Sequence, residues 1–191
     1  MNELAPGNDL SQKSLAVSRN SALPGQYLTF VLGGEAYAIR ILNIKEIIDF
    51  GNLTEVPMMP SFVKGIINLR GSVVPVVDLL ARFGRKSTPI AKRTCIVIVE
   101  TTNPGEAGEQ EYQQDIGIIV DAVNEVVEID AKEIEPPPAF GAKIRPDFVN
   151  GMAKLHQTFI ILLNVNRVLS VDEMATLGKM AMEDQHFAAV A

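Results

Sequence analysis

The feature that most restricts the fold of this 191-residue chain is that its two halves repeat each other. Val63-Lys64-Gly65, Leu69, Val73-Val74-Pro75-Val76-Val77 and Asp78 match Val149-Asn150-Gly151, Leu155, Phe159-Ile160-Ile161-Leu162-Leu163 and Asn164 at an offset of 86 residues. Ala38-Ile39 and Glu46-Ile47-Ile48 match Gly117-Ile118 and Glu125-Val126-Val127 at an offset of 79, an insertion of seven residues around Pro136-Pro137-Pro138 accounting for the difference. Self-similarity of this kind marks one supersecondary unit used twice. Short apolar runs between closely spaced turn signals make the unit β-rich, and without strand-then-long-helix alternation a doubly wound parallel sheet is not expected. Five to six short strands per half predict two small barrels.

Within the first half, Tyr27-Leu28-Thr29-Phe30-Val31-Leu32 and Ala36-Tyr37-Ala38-Ile39 flank Gly33-Gly34 and predict a hairpin. Ile41, Ile44, Ile47 and Ile48 have the spacing of one side of a short helical turn. Pro57 and Pro60 break the chain, Phe62-Val63-Lys64 reads as one helical turn ended by Gly65, and Ile66-Ile67-Asn68-Leu69 resumes as a strand. Arg70-Gly71 then turns the chain back. Pro75 has no N–H to give a ladder, so it belongs at an edge or bulge. Asp78 predicts a helix N-cap, with Gly84 as the stop. Thr101 to Gln114 reads as a long polar hairpin loop, and Ser170-Val171-Asp172-Glu173 has the spacing of a capping box that opens a closing helix. The segment up to Pro24, rich in Asn and Ser, reads as a mobile arm.

A formal charge of −6 and the lack of a dense Lys/Arg run disfavour nucleic acid as a partner. The single cysteine, Cys95, lies in an apolar run, so no intramolecular disulfide is possible and a reducing cytoplasm fits. Apolar runs fall far short of the ~20 residues of a spanning helix, and no signal sequence is evident. A role near a membrane would therefore come through binding a protein already there.

Chemistry is sparse. His156 and His186 have no carboxylate or cysteine at ligand spacing, so no metal or cofactor is expected. There is no nucleophile elbow and no phosphate-binding glycine loop, and Glu46, Asp78, Asp121 and Glu125 are explained as caps or solvated faces. Arg70 carries two readings: a solvated turn residue, or a guanidinium held on a rigid hairpin as an anchor for a partner. Ile44 likewise reads as core or as part of an apolar groove at the junction of two barrels.

Ile41-Leu42-Asn43-Ile44-Lys45-Glu46-Ile47-Ile48, Val56-Pro57, Pro60-Ser61-Phe62-Val63-Lys64-Gly65-Ile66-Ile67-Asn68-Leu69-Arg70-Gly71 and Val74-Pro75-Val76-Val77-Asp78-Leu79 together resemble the CheW family signature. The resemblance continues through Asp115-Ile116-Gly117-Ile118-Ile119-Val120-Asp121 and Glu125-Val126-Val127, covering Gln26 to Leu177. It implies a mainly β fold of two SH3-like five-stranded barrels with a hydrophobic groove between them. The expected organisation is a flexible arm over 1–25 and a CheW-like domain over 26–177, followed by a frayed tail over 183–191. Within the domain, the first barrel spans 26–92, the second 93–169 and the closing helix 170–182. The resemblance further implies a cytoplasmic, non-enzymatic adaptor that couples the tips of methyl-accepting chemotaxis receptors to the regulatory domain of the histidine kinase CheA. Position by position, it places Ile44, Glu46, Gly65, Arg70, Gly117 and Val126 on or beneath partner-binding surfaces, with Gly65 and Gly117 also readable as structural. Two other readings stand beside it: the same role in another receptor–kinase pathway such as pilus motility, and a small-molecule-binding double barrel.

Overall fold

The structure, a computed structural model, describes residues 23–104, 110–137 and 144–177, so most of the expected arm and all of the expected tail lie outside the described residues. The chain begins with β1 (Gly25–Leu32) and β2 (Glu35–Arg40), joined at Gly33-Gly34, both at positive φ (58° and 81°). Two further hairpins turn the same way. One lies at Arg70-Gly71 (51° and 91°), between β4 (Val63–Leu69) and β5 (Ser72–Asp78). The other lies at His156-Gln157 (47° and 66°), between β10 (Val149–Leu155) and β11 (Thr158–Leu163). Positive φ at both central residues is the two-residue turn whose twist suits antiparallel strands, and glycine is favoured there because it has no Cβ to clash. Gln157 stands where the other two hairpins have glycine. Gln157→Gly is expected to raise stability by about 1 kcal/mol. A urea midpoint that does not rise would show that the Gln157 side chain makes a contact outweighing the backbone strain.

The remaining strands are β3 (Ile44–Asp49), β6 (Cys95–Asn103), β7 (Tyr112–Val120), β8 (Ala122–Ile129) and β9 (Ile134–Glu135). They form a six-stranded sheet in the order β8-β1-β2-β11-β10-β9 and a five-stranded sheet in the order β3-β6-β7-β5-β4. The fold is mainly β in two sheets, but the sheets do not follow the expected 26–92 and 93–169 division. The hairpin β1–β2 of the first repeat joins β8–β11 of the second, and the hairpin β6–β7 of the second joins β3–β5 of the first.

Chain connectivity requires this exchange. Within the five-stranded sheet β3 is antiparallel to β6, which is antiparallel to β7, so β3 runs parallel to β7. For a repeat to close on itself, β2 would have to occupy the place of its repeat mate β7 and then feed a parallel β3. That crossover needs roughly a dozen residues. Only Ile41–Asn43 separate β2 from β3, and only Asp121 separates β7 from β8. Each chain segment therefore runs on into the opposite sheet.

Period-2 alternation then divides the apolar residues among three cores. Tyr27, Ala38, Ile129, Ala153, Ile160 and Leu162 fill the six-stranded sheet. Val74, Val76, Ile96, Ile98 and Ile119 fill the five-stranded one. The alternate residues, including Phe30, Tyr37, Val97, Val99, Ile116 and Ile118, meet in the largest cluster, between the two sheets. The paired stretches Cys95–Val99 of β6 and Ile116–Val120 of β7 carry no polar or charged side chain, because both of their faces are covered.

The repeat persists in detail. Asp78 and Asn164 cap the short helices α1 (Leu79–Arg82) and α2 (Val165–Val168), each accepting an N–H at 3.2 Å. Each also donates its own N–H at 2.8 Å, to Phe62 and Phe148 respectively. Between these two repeat-mate phenylalanines sits the buried guanidinium of Arg82, 5.2 and 4.7 Å from the ring centroids. Its Nε donates to the Val168 carbonyl at 3.0 Å, and its Nη2 lies 3.2 Å from Glu173. Arg82 thus ties the ends of the two repeats to each other and to helix α3 (171–177), which begins where the capping-box spacing placed it.

Four local expectations change. The 3-10 turn is confined to Ile41–Asn43, and Ile44, Ile47 and Ile48 lie on β3, where Ile48 faces the sheet's core and Ile47 is exposed. Val63 and Lys64 already belong to β4, and Gly65 lies at its bulge, paired with Val76, instead of ending a helical turn. The polar segment after Thr101 continues as paired strand, Thr101 facing Gln114 and Asn103 facing Tyr112, so only residues 104–111 connect β6 to β7. Pro75 lies on an interior strand, immediately before the residues of β5 that pair with β7, and so interrupts no ladder bond on that side.

Candidate functional site

The β4–β5 hairpin carries Arg70 clear of the sheet. Asn68 Oδ1 accepts the Gly71 N–H at 2.9 Å, fixing the turn from within. From that tip Arg70 Nη2 donates to Glu46 Oε2 at 2.9 Å, joining the outer strands β3 and β4 of the five-stranded sheet through their side chains. The Thr54–Ile66 bridge joins the segment that follows β3 to β4 through the backbone. The Arg70 side chain remains 81% exposed, against 23% for Glu46. One nitrogen is thus tethered while most of the donor fork faces solvent, a guanidinium oriented in advance for a partner's carboxylate or carbonyl. The pair itself contributes little to stability, since exposed ion pairs are worth about 0–1 kcal/mol.

Exposed apolar residues lie close to the pair in sequence: Ile47 (45%) beside Glu46 on β3, and Val73 (67%) on β5, three residues past Arg70. Beside Glu46, Lys45 Nζ lies 2.8 Å from Glu100 and 2.7 Å from Asp115. Those two carboxylates face each other across β6 and β7, so Lys45 neutralises a like-charge cross-strand pair. The hydrogen bonds to Asp115 and Glu100 hold its ammonium above the usual lysine range.

Of the six residues singled out by resemblance, the structure brings only Glu46 and Arg70 into contact. Ile44 lies two residues from Glu46 and packs against the central cluster. Gly65 is buried at φ 149°, where a Cβ would meet the Thr54 carbonyl oxygen at 2.5 Å. Gly117 lies in β7, where a Cβ would be 2.8 Å from Ile96 Cγ2 and 3.2 Å from Val76 Cγ2. Both glycines therefore have packing reasons for being glycine. Val126 is 48% exposed on β8, an outer strand of the other sheet.

Sequence reasoning missed Ile47, Val73 and Phe159. Val73 and Phe159 are repeat mates, as are Ile47 and Val126, and all four are exposed. Exposure shared by both members of two repeat pairs was the available signal, but it cannot be read until the strand faces are known. Around the second hairpin the charges differ: among the described residues no ion pair joins His156 to Glu125, the repeat mate of Glu46. No group of three or more metal-ligating side chains occurs among the described residues, and none of their helices is long and apolar enough to cross a membrane.

The sequence model of the family described as CheW-like domain matches residues 26–173. Over 156 residues the chain is 32% identical to the chemotaxis protein CheW of Klebsiella aerogenes, covering 82% of this chain and 88% of that protein. It is 28% identical over 156 residues to protein FrzA of Myxococcus xanthus, covering 81% and 91%. Among solved structures it is similar to the scaffolding protein TtCheW from Thermoanaerobacter tengcongensis, with a TM-score of 0.65 and 37% identity over 78% of this chain and 90% of that one.

Proposed function

The chain belongs to the family of CheW-like domains, and we propose that it works as a non-enzymatic adaptor joining methyl-accepting chemoreceptors to the regulatory domain of the histidine kinase CheA. The observation that supports this reading best is the Arg70–Glu46 pair, a nearly free guanidinium positioned on a rigid two-residue hairpin within the matched region. In this reading Arg70 is the polar anchor, Glu46 orients it, and Ile44 and Val126 contribute apolar contacts. Gly65 and Gly117 hold the strands that carry them. The protein reaches the membrane through its receptors, in keeping with the absence of a spanning helix among the described residues. Similarity to protein FrzA supports a second version of the same role, in which another receptor and kinase take the two places.

The test is kinase autophosphorylation in the presence of receptor cytoplasmic fragments, which the wild-type chain is expected to raise. Arg70→Ala is expected to melt within about 1 kcal/mol of wild type, since only an exposed pair is lost. It should weaken kinase binding by roughly 10- to 100-fold, the cost of removing a central interface arginine. Global unfolding of Arg70→Ala, seen by circular dichroism, would make Arg70 structural and defeat the assignment.

A further inference from the structure

The six-stranded sheet has a small recess at one end, of about 170 Å³, to which Arg40, Asn43, Asn150, Asn164 and Asn166 contribute polar groups. Arg40 ends β2, Asn43 ends the 3-10 turn that follows, Asn150 lies on β10, and Asn164 and Asn166 open α2. No carboxylate lines the recess. Arg40 forms no ion pair among the described residues, and its Nε is buried without a hydrogen-bond partner. A guanidinium that no carboxylate neutralises favours an anion beside it, and an unpaired buried N–H adds to that cost.

The asparagines present the same chemistry. Asn164 Oδ1 already accepts the Arg167 N–H at 3.2 Å, and Asn166 Oδ1 accepts the Thr102 N–H at 3.0 Å. Their oxygens are engaged, which leaves their Nδ2 groups to donate. Asn150 Nδ2 reaches an acceptor, the Leu163 carbonyl, only at 3.5 Å. The recess therefore combines one positive charge with several amide donors and no anion. The equivalent end of the other sheet is built differently: Asp78 and Ile119 stand where Asn164 and Arg40 stand, and the larger opening there, of about 500 Å³, is also lined by Glu55 and Lys64. One member of the repeat pair supplies its own carboxylate, and the other supplies only donors.

We propose that the Arg40 recess is a carboxylate-binding site, sized for an acidic side chain or a small free carboxylate and separate from the Arg70 hairpin. Arg40 supplies the charge through its terminal nitrogens, which no described carboxylate engages, and the asparagine amides complete the donor set.

The test is a titration of the full chain, labelled with nitrogen-15, that follows the Arg40 Nε–Hε signal and the side-chain amides of Asn164 and Asn166. The probes are sodium acetate and N-acetylglutamate α-amide, whose only carboxylate is that of the side chain, with sodium chloride at matched ionic strength as control. Saturable shifts with both probes and none with chloride are the expected result. Saturation by acetate alone would assign the site to free small carboxylates, and saturation by the blocked glutamate alone to acidic side chains of a partner polypeptide. Arg40→Gln should abolish the response of both asparagines. Asn164→Asp should do so as well while preserving the fold, because Asp78 caps the equivalent helix with the same 3.2 Å bond. The proposal is overturned if neither probe gives a saturable shift, or if the asparagine shifts survive in Arg40→Gln.

Discussion

Residues 1–92 and 93–191, produced as separate chains, will each lack a cooperative melting transition, and mixed together they will regain the spectrum and binding of the intact protein. The cut falls in an exposed stretch, residues 91–93, outside any strand, so it removes no ladder bonds. Each fragment nevertheless loses strands from both sheets: four of six and two of five for the first, two of six and three of five for the second. The first keeps β1–β2 without β8 and β11, and β3–β5 without β6 and β7. It cannot recover by folding its own hairpin into the vacant place, because the three residues Ile41–Asn43 span about 10 Å fully extended. A parallel return along a six-residue strand must cover roughly 20 Å before crossing to its neighbour. The fragments complement because the interlocked arrangement is the one their connections permit. A lone fragment with dispersed amide resonances and a sharp melt would contradict this account of the topology.

Gly65→Ala is expected to be the most damaging single substitution among the residues implicated by family resemblance. At φ 149° the backbone suits glycine, and the added Cβ would lie 2.5 Å from the Thr54 carbonyl oxygen and 3.0 Å from its carbon. The obstructing atoms are backbone, so relief requires breaking the Thr54–Ile66 bridge, whose two bonds are 3.0 and 2.8 Å long. We expect a loss on the order of 3–5 kcal/mol, the range of a severe core clash plus backbone strain. The melting temperature should fall by ~10 °C or more. Binding would fail with it, but as a consequence of unfolding. Arg70→Ala should show the reverse, a folded protein with impaired assembly, and the contrast separates a residue that frames the surface from one that makes contact. If Gly65→Ala melts at nearly the wild-type temperature, the β4 bulge relaxes freely and the clash argument fails.

The parts legible in the sequence are those set by local chemistry. Gly33-Gly34 and Arg70-Gly71 form the turns their residues demand, and Asp78 caps the helix that begins at Leu79. The repeat showed that one unit is used twice. It did not show how strands are shared, because alternation places a residue on a face without naming the strand opposite. Val97 and Val99 pack against the other sheet while Ile96 and Ile98 fill their own, and the two pairs are chemically alike. The isoleucines from Ile41 to Ile48 had helical spacing by coincidence, since the chain becomes extended at Ile44. At the site, Arg70 stood out as a charge among apolar strands. Its partner Glu46 lies 24 residues away and meets it only through contact between the outer strands of the sheet. Arg82 went unnoticed for the same reason: its two phenylalanine neighbours come from different repeats.

The adaptor role rests on one chain holding two partners at once, and co-sedimentation measures that directly. Receptor cytoplasmic fragments assembled on vesicles are to be spun down with CheA, with and without this protein. The kinase is expected to pellet with the receptors only when the chain is present, and Arg70→Ala is expected to lower the kinase in the pellet while remaining folded. If the wild-type chain pellets with neither receptor nor kinase, the adaptor assignment is wrong.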